Sequence, residues 1–137
     1  MTFWTYQGKP FDSEDIPQGI IGFVYQITLP DGRKYIGRKL FYSTTRKPPL
    51  KGKTRKRKVV KESDWKNYFG SSEEMLSLSL TEKNNCVREI LYMCSTKSEL
   101  AYRETKEIFV RDVLLKEEYL NKWVTVQVNG KNLKGLI

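Results

Sequence analysis

Two extended runs joined by a tight turn constrain this chain more than any other feature. Residues 22–29, Gly-Phe-Val-Tyr-Gln-Ile-Thr-Leu, are β-branched and aromatic; Pro30-Asp31-Gly32 has turn chemistry; residues 33–38 resume an extended pattern. This is the signature of a β-hairpin, and a hairpin needs further strands or a helix to cover its apolar face. Both follow downstream. Residues 86–94 form a largely apolar run that reads as a third, central strand. Thr96-Lys97-Ser98-Glu99 has the form of a capping box and opens a helix predicted over residues 97–115. Between hairpin and third strand, Ser63 is placed to cap a short helix holding Trp65, Tyr68 and Phe69 that stops at Gly70. Ser71 or Ser72 then opens a second through Met75, Leu76 and Leu80. The layout is α+β.

With 137 residues, 39% of them apolar, the chain can bury one core and not two. Residues 1–21 lack a sustained period and read as an arm packing on the domain. At the other end, the alternating residues 123–128 and Asn129-Gly130 predict a β extension over residues 122–137. No run approaches the roughly 18 apolar residues of a membrane helix, and no leader-like segment opens the chain, so the expectation is a soluble, cytoplasmic protein with no membrane partner. Cys86 and Cys94 lie inside apolar sequence, as buried thiols rather than a disulfide or zinc framework.

Charge is concentrated. Thirteen of the 25 Lys and Arg fall between Arg33 and Lys61 with no acid among them, whereas the remaining 12 face all 16 acids, so the net +9 belongs to one segment. Cations at this density favour phosphate, because each contact releases condensed counterions. A solvated basic loop is the bland alternative, and residues 39–61, with Pro48, Pro49 and Gly52, read as a long charged loop. The chain has no histidine. That excludes imidazole-based nucleases, Ser-His-Asp and Cys-His systems and most catalytic zinc sites. Any hydrolysis must draw on Tyr, Lys, a carboxylate or metal-bound water, with a hard oxygen-liganded cation such as Mg²⁺.

On the long helix, Glu104 shares a stripe with Leu100, Ala101 and Ile108, which turns its carboxylate inward. Such a group requires a cation, a metal, a hydrogen-bond donor or a proton. Arg88 or a tyrosine hydroxyl would satisfy it in a purely structural role. Glu107, spaced four residues from Arg103 and Arg111, reads as an exposed ion-pair ladder without function. Tyr25 and Tyr35 flank the hairpin turn, which by itself suggests cross-strand packing. Gly37 removes a side chain where the basic segment begins, as close approach of a ligand phosphate would require.

Phe23-Val24-Tyr25, nine residues, then Tyr35-Ile36-Gly37 resembles the paired signature of GIY-YIG nucleases, with Phe-Val in place of the first Gly-Ile and Gly22 one position upstream. The resemblance covers residues 22–121, and the order of two hairpin strands, two helices, a third strand and a Glu-bearing helix followed by Asn121 is similar to the family's. It implies a small three-stranded, mainly antiparallel sheet flanked by helices, and a DNA endonuclease acting on double-stranded substrate, in the manner of a stand-alone phage or mobile-element enzyme. Tyr25 would be the general base or water-positioning group, its pKa lowered by Arg38, Lys39 and the metal. Tyr35 would support the nucleophile or phosphate, Glu104 would ligate Mg²⁺ or Mn²⁺, and Asn121 would position the site. The family's essential arginine maps to Arg38, Lys39 or Arg46, with Arg38 first because its strand fixes it near both tyrosines. Gly37, Lys39, Arg46, Lys53, Arg55, Lys56, Arg57 and Lys58 are the candidate substrate-binding residues. A non-catalytic nucleic-acid-binding module using residues 33–61 is the alternative, and a domain docking its basic loop on an acidic protein is a third.

Overall fold

The computed structural model describes residues 3–136. Met1 and Thr2 of the expected arm and Ile137 of the expected extension lie outside them. In chain order the elements are β1 (Trp4–Tyr6), β2 (Lys9–Pro10), β3 (Gly22–Thr28), β4 (Lys34–Leu40), β5 (Tyr42–Lys47), β6 (Arg57–Glu62), α1 (Glu73–Leu76), α2 (Leu80–Asn84), β7 (Val87–Cys94) and α3 (Lys97–Val110). The predicted hairpin is β3–β4, closed by Leu29 N–H to Arg33 O at 2.8 Å, with Gly32 at φ +91° where a side chain would be strained. β7 pairs antiparallel with the other side of β3, giving the three antiparallel strands read from sequence.

The sheet is wider than that. Its order is β2-β1-β7-β3-β4, because the arm packs on the domain as strands: β1 lies parallel to β7, and Gln7-Gly8 turns it back into β2. Two- and three-residue strands carry no readable period, and only β7 defines where they pair. Trp4 repays the pairing. Its indole is 1% exposed, stands edge-on to Phe23 at 4.9 Å and donates Nε1–H to Trp65 O at 2.7 Å.

Alternation in β3 gives the sheet two covered faces. Phe23, Tyr25 and Ile27 join Trp4, Phe41, Trp65, Phe69 and Met75 in an aromatic core under residues 63–86, whereas Val24, Ile36 and Cys94 pack with Leu100 and Ile108 of α3. Both cysteines are free and buried, and burial pushes the Cys94 thiol up to about 12.

Several expectations are corrected. The capping box of α3 is displaced: Thr96 Oγ1 accepts from Glu99 N, but Glu99 Oε1 reaches Ser95 N rather than Thr96 N. The helix ends at Val110 rather than 115, since Asp112 turns left-handed at φ 52° and a 3-10 turn delivers Val113 to the core. Ser63 accepts from Trp65 N at 3.2 Å, yet the segment makes only a 3-10 turn, and its hydroxyl also donates to Leu40 O. The second helix is two, α1 capped by Ser72 and α2 by Ser79.

The basic segment is not a loop. β5 and β6 form a separate two-stranded ribbon in which Thr44 and Thr45 oppose Val60 and Val59, a β-branched centre strong enough to pair inside a charged stretch. The C-terminal β extension does not form among the described residues. Asn129 instead caps a 3-10 helix over Gly130–Leu136, its Oδ1 accepting from Lys131 N at 2.9 Å. Residues 118–121 run beside β4, with Leu120 N–H donating to Lys34 O at 2.7 Å.

Trp4→Ala is expected to lower the unfolding free energy by about 3–5 kcal/mol in urea titration, as for other deletions of large buried aromatics. A loss below about 1 kcal/mol would mean that β1 is not part of the cooperative core.

Candidate active site

The register of the hairpin builds the site. Tyr25 pairs with Gly37 across β3–β4, so the phenol lies over the one position of β4 without a side chain. A Cβ at 37 would overlap the Tyr25 hydroxyl and stand 2.6 Å from Cζ. Tyr35, two residues earlier on the same face, tilts against Tyr25 with ring centroids 6.2 Å apart, and Tyr68 meets Tyr25 edge-on at 6.0 Å. Arg38 points to the opposite face, where its Nε lies 3.5 Å from Glu104 Oε2 on α3.

Groups from both faces meet because β4 is the last strand of the sheet. Along it opens a cleft of about 600 Å³ lined by Tyr25, Tyr35, Gly37, Arg38, Glu104 and Asn121. Asn121 holds this edge in place: its Oδ1 accepts from Ile36 N at 2.9 Å and its Nδ2 donates to Ile36 O at 2.7 Å, the two bonds a neighbouring strand would make. It therefore clamps the residue between Tyr35 and Gly37.

Glu104 behaves as its helical stripe predicts. Its side chain is 19% exposed, and burial raises its pKa while Arg38 opposes the rise. Arg88 is not its partner: that guanidinium is stacked over Trp4 and Phe69 in the aromatic core, donates to Lys66 O and Tyr68 O at 2.9 Å, and is lowered to about 10 by burial. The tyrosines depart from expectation. Burial, then the neighbouring Tyr68 and Tyr35, a hydrogen bond with Tyr68 and the Glu104 charge hold Tyr25 well above 10. Tyr35 is also raised, by burial, against a hydrogen bond with Ser71 that lowers it. Lys39 shares their face but lowers neither, because its Nζ is 2.7 Å from Asp64 Oδ1 and sits 4.2 Å from the Tyr68 ring centroid, where that carboxylate neutralises it.

Of the three candidate cations only Arg38 lines the cleft. Arg46, Arg57 and Lys58 sit on the ribbon and Lys53, Arg55 and Lys56 on its tip, all exposed. Glu107 is also corrected. Its side chain is 13% exposed, accepts from Tyr92 Oη at 2.7 Å and Arg111 Nε at 2.6 Å, and so ties α3 to the sheet, while Arg103 stacks on the Tyr92 ring. Charge spacing alone hid this, since Tyr92 comes from another element. Sequence reasoning also missed the opposite wall of the cleft, Ser71, Ser72, Glu73 and Glu74, with Glu74 held by Lys122 at 2.6 Å. No cluster of three metal-ligating side chains occurs among the described residues.

A family model described as "Putative endonuclease segE, GIY-YIG domain" matches residues 4–124, most of the chain. The chain belongs to the GIY-YIG family. No curated protein and no solved structure matches it. The GIY-YIG match starts in β1 and ends on the cleft wall, spanning every residue that lines the cleft except Thr125. Membership makes this a chain of the endonuclease class, whose substrate is nucleic acid and whose members generally use a divalent metal. No helix among the described residues is long and apolar enough to cross a membrane.

Gly37→Ala should lower the unfolding free energy by about 1–3 kcal/mol through overpacking against Tyr25, with most of that loss relieved in a Tyr25→Leu background. A neutral Gly37→Ala would show that the ring does not occupy this notch.

Proposed function

We propose that this protein is a metal-dependent endonuclease that hydrolyses phosphodiester bonds in double-stranded DNA. The observation that supports it most is convergence: two phenols from one face of the sheet and a carboxylate and guanidinium from the other line a single cleft at its edge.

Glu104 is the residue to hold the cation, Mg²⁺ or Mn²⁺. A half-buried carboxylate raised by desolvation is stabilised by a nearby positive charge, and Mg²⁺ commonly takes only one or two protein carboxylates, completing its shell with water and substrate phosphate oxygens. A desolvated carboxylate beside an open cleft fits such a site. When bound, the cation supplies charge that offsets the extra negative charge on phosphorus oxygens and makes nearby water more acidic.

The chain's own groups do the remaining work. Arg38, half-exposed and only loosely paired at 3.5 Å, is free to donate to a non-bridging phosphate oxygen as charge builds there. Tyr25 stays a neutral phenol at physiological pH, so in this reading it orients the attacking water or a phosphate oxygen by hydrogen bonding and does not itself carry a negative charge. Tyr35 does the same from one turn of the pleat away. Asn121 positions both through Ile36. Lys53, Arg55, Lys56 and Arg57 supply the phosphate track.

The test is nicking of supercoiled plasmid. Activity is expected with Mg²⁺, none in EDTA, and a loss of roughly 10²–10³-fold or more in Glu104→Gln; full nicking by that variant would overturn the reading. Its fold is expected to survive. A carboxyl raised in the folded state binds its proton more tightly there than unfolded, so its ionisation lowers stability as pH rises through that raised value. Glu104→Gln should therefore melt no lower than wild type at neutral pH. Because proton and cation compete for Glu104, the acid limb of the nicking profile should move to lower pH as Mg²⁺ is raised, and this limb should be absent from any residual activity of the variant.

A further inference from the structure

The ribbon β5–β6 stands apart from the main sheet, and its pairing is costly in isolation. Arg46 opposes Lys58 and Lys47 opposes Arg57, like charges set directly across the strands, with Lys51, Lys53, Arg55 and Lys56 at the tip. A free two-stranded ribbon is marginal in water, and among the described residues no second layer covers the outer face of this one. Its base, by contrast, is fixed. Phe41, fully buried between β4 and β5, donates its N–H to Ile21 O at 2.8 Å and accepts from Ser63 N at 2.8 Å. Glu62, the last residue of β6, accepts from Trp65 Nε1 at 2.7 Å and from the Ser13 hydroxyl.

Alternation sorts the ribbon's side chains into two faces. Ser43, Thr45 and Lys47 share one with Lys61, Val59 and Arg57, and Ser43 and Val59 are partly covered. The other face carries Tyr42, Thr44, Arg46, Lys58, Val60 and Glu62, every one of them exposed, with Val60 at 58%. Its centre is a methyl-bearing pair, Thr44 opposite Val60, followed by a cation pair, Arg46 opposite Lys58. Methyl groups contact the thymine C5-methyl, and Arg or Lys donates to guanine O6 and N7, so this is the chemistry of base edges rather than of phosphate alone.

We propose that the outer face of this ribbon lies in the major groove of duplex DNA and reads base identity there, through Thr44, Arg46, Lys58 and Val60. The proposal deepens the nuclease reading and rests on it for the nature of the substrate. A major groove about 12 Å wide admits a two-stranded β-ribbon, and strands of six residues at about 3.4 Å each run the length of roughly five or six base pairs. Duplex RNA is disfavoured, since its major groove is too narrow and deep for side chains. A single strand is disfavoured too: it calls for stacking platforms, and Tyr42 is the ribbon's one aromatic ring. The polyanion between the strands would also remove the penalty of the facing cations.

The fixed base adds a metric constraint. Arg46 follows Arg38 by eight residues of nearly continuous strand, a reach of at most about 27 Å, or roughly eight base pairs. Bases read by the ribbon must therefore lie within about eight base pairs of the scissile phosphate, at a constant offset.

The test sequences the ends released from a random duplex library by wild-type protein with Mg²⁺, and separately measures interference with binding in EDTA by methylation at guanine N7, in the major groove, and at adenine N3, in the minor. Enrichment of particular bases within about eight base pairs of the cut, and interference at N7, are expected. Arg46→Ala with Lys58→Ala should reduce discrimination between preferred and scrambled duplexes from about tenfold or more to under about threefold, chiefly by weakening binding to the preferred duplex. Thr44→Ala with Val60→Ala should shift preference at thymines. Cutting without base preference, interference at N3 alone, a uniform weakening on all sequences in the double variants, or stronger attachment to phosphatidylserine vesicles than to duplex would each overturn the proposal. N7 interference in a protein that cuts nothing would instead sink the nuclease reading and leave the ribbon's role standing.

Discussion

A phenol lying across a glycine organises this molecule. Tyr25 occupies the space that a Cβ at position 37 would fill, and that single steric fact fixes the hairpin register, brings a buried hydroxyl to the open edge of the sheet and leaves β4 able to carry Arg38 on its reverse side. Slipping the pairing by one residue would exchange the faces, sending Tyr25 and Phe23 toward α3 and Val24 into the aromatic core. The aromatic packing of Trp4, Phe23 and Phe41 and the two-bond clamp of Asn121 on Ile36 both protect that register.

Burial then sets the electrostatics. Burial holds the phenols of the cleft neutral and raises Glu104, and Arg38 is the charge that opposes the rise. The thirteen basic residues between Arg33 and Lys61 mostly lie elsewhere, on a ribbon that begins where β4 ends. In the proposed reading, attraction of the substrate and treatment of the phosphodiester fall to different surfaces. This division explains why the basic segment carries so much charge without lowering the tyrosines; in the proposed reading a divalent cation is the complement of the desolvated Glu104.

Much of this was legible in the chain. The hairpin follows from β-branched runs around Pro30-Asp31-Gly32, the central strand from the apolar run before Cys94, and the inward Glu104 from its spacing to Leu100 and Ile108, all local patterns with a strong period. What was not legible depended on partners distant in sequence. β1 is a strand because β7 offers it an edge, Lys39 is diverted by Asp64 and Tyr68, and Glu107 is covered because Tyr92 donates to it while Gln26 accepts from its partner Arg111. The ribbon was hidden for another reason: its strand signal is carried by Thr44, Thr45, Val59 and Val60, with charge on both sides masking the alternation. Asn129-Gly130 misled because the asparagine side chain found helical amides to cap before a second strand was available.

The central claim, that both faces of the sheet deliver groups to one cation-binding cleft, is tested most directly by paramagnetic line broadening from Mn²⁺ in the full chain, read at backbone amides. Broadening centred on Gly37, Arg38, Glu104 and Asn121, and lost in Glu104→Gln, is the result this arrangement predicts. Broadening centred on another part of the surface, or unchanged by that substitution, would contradict it.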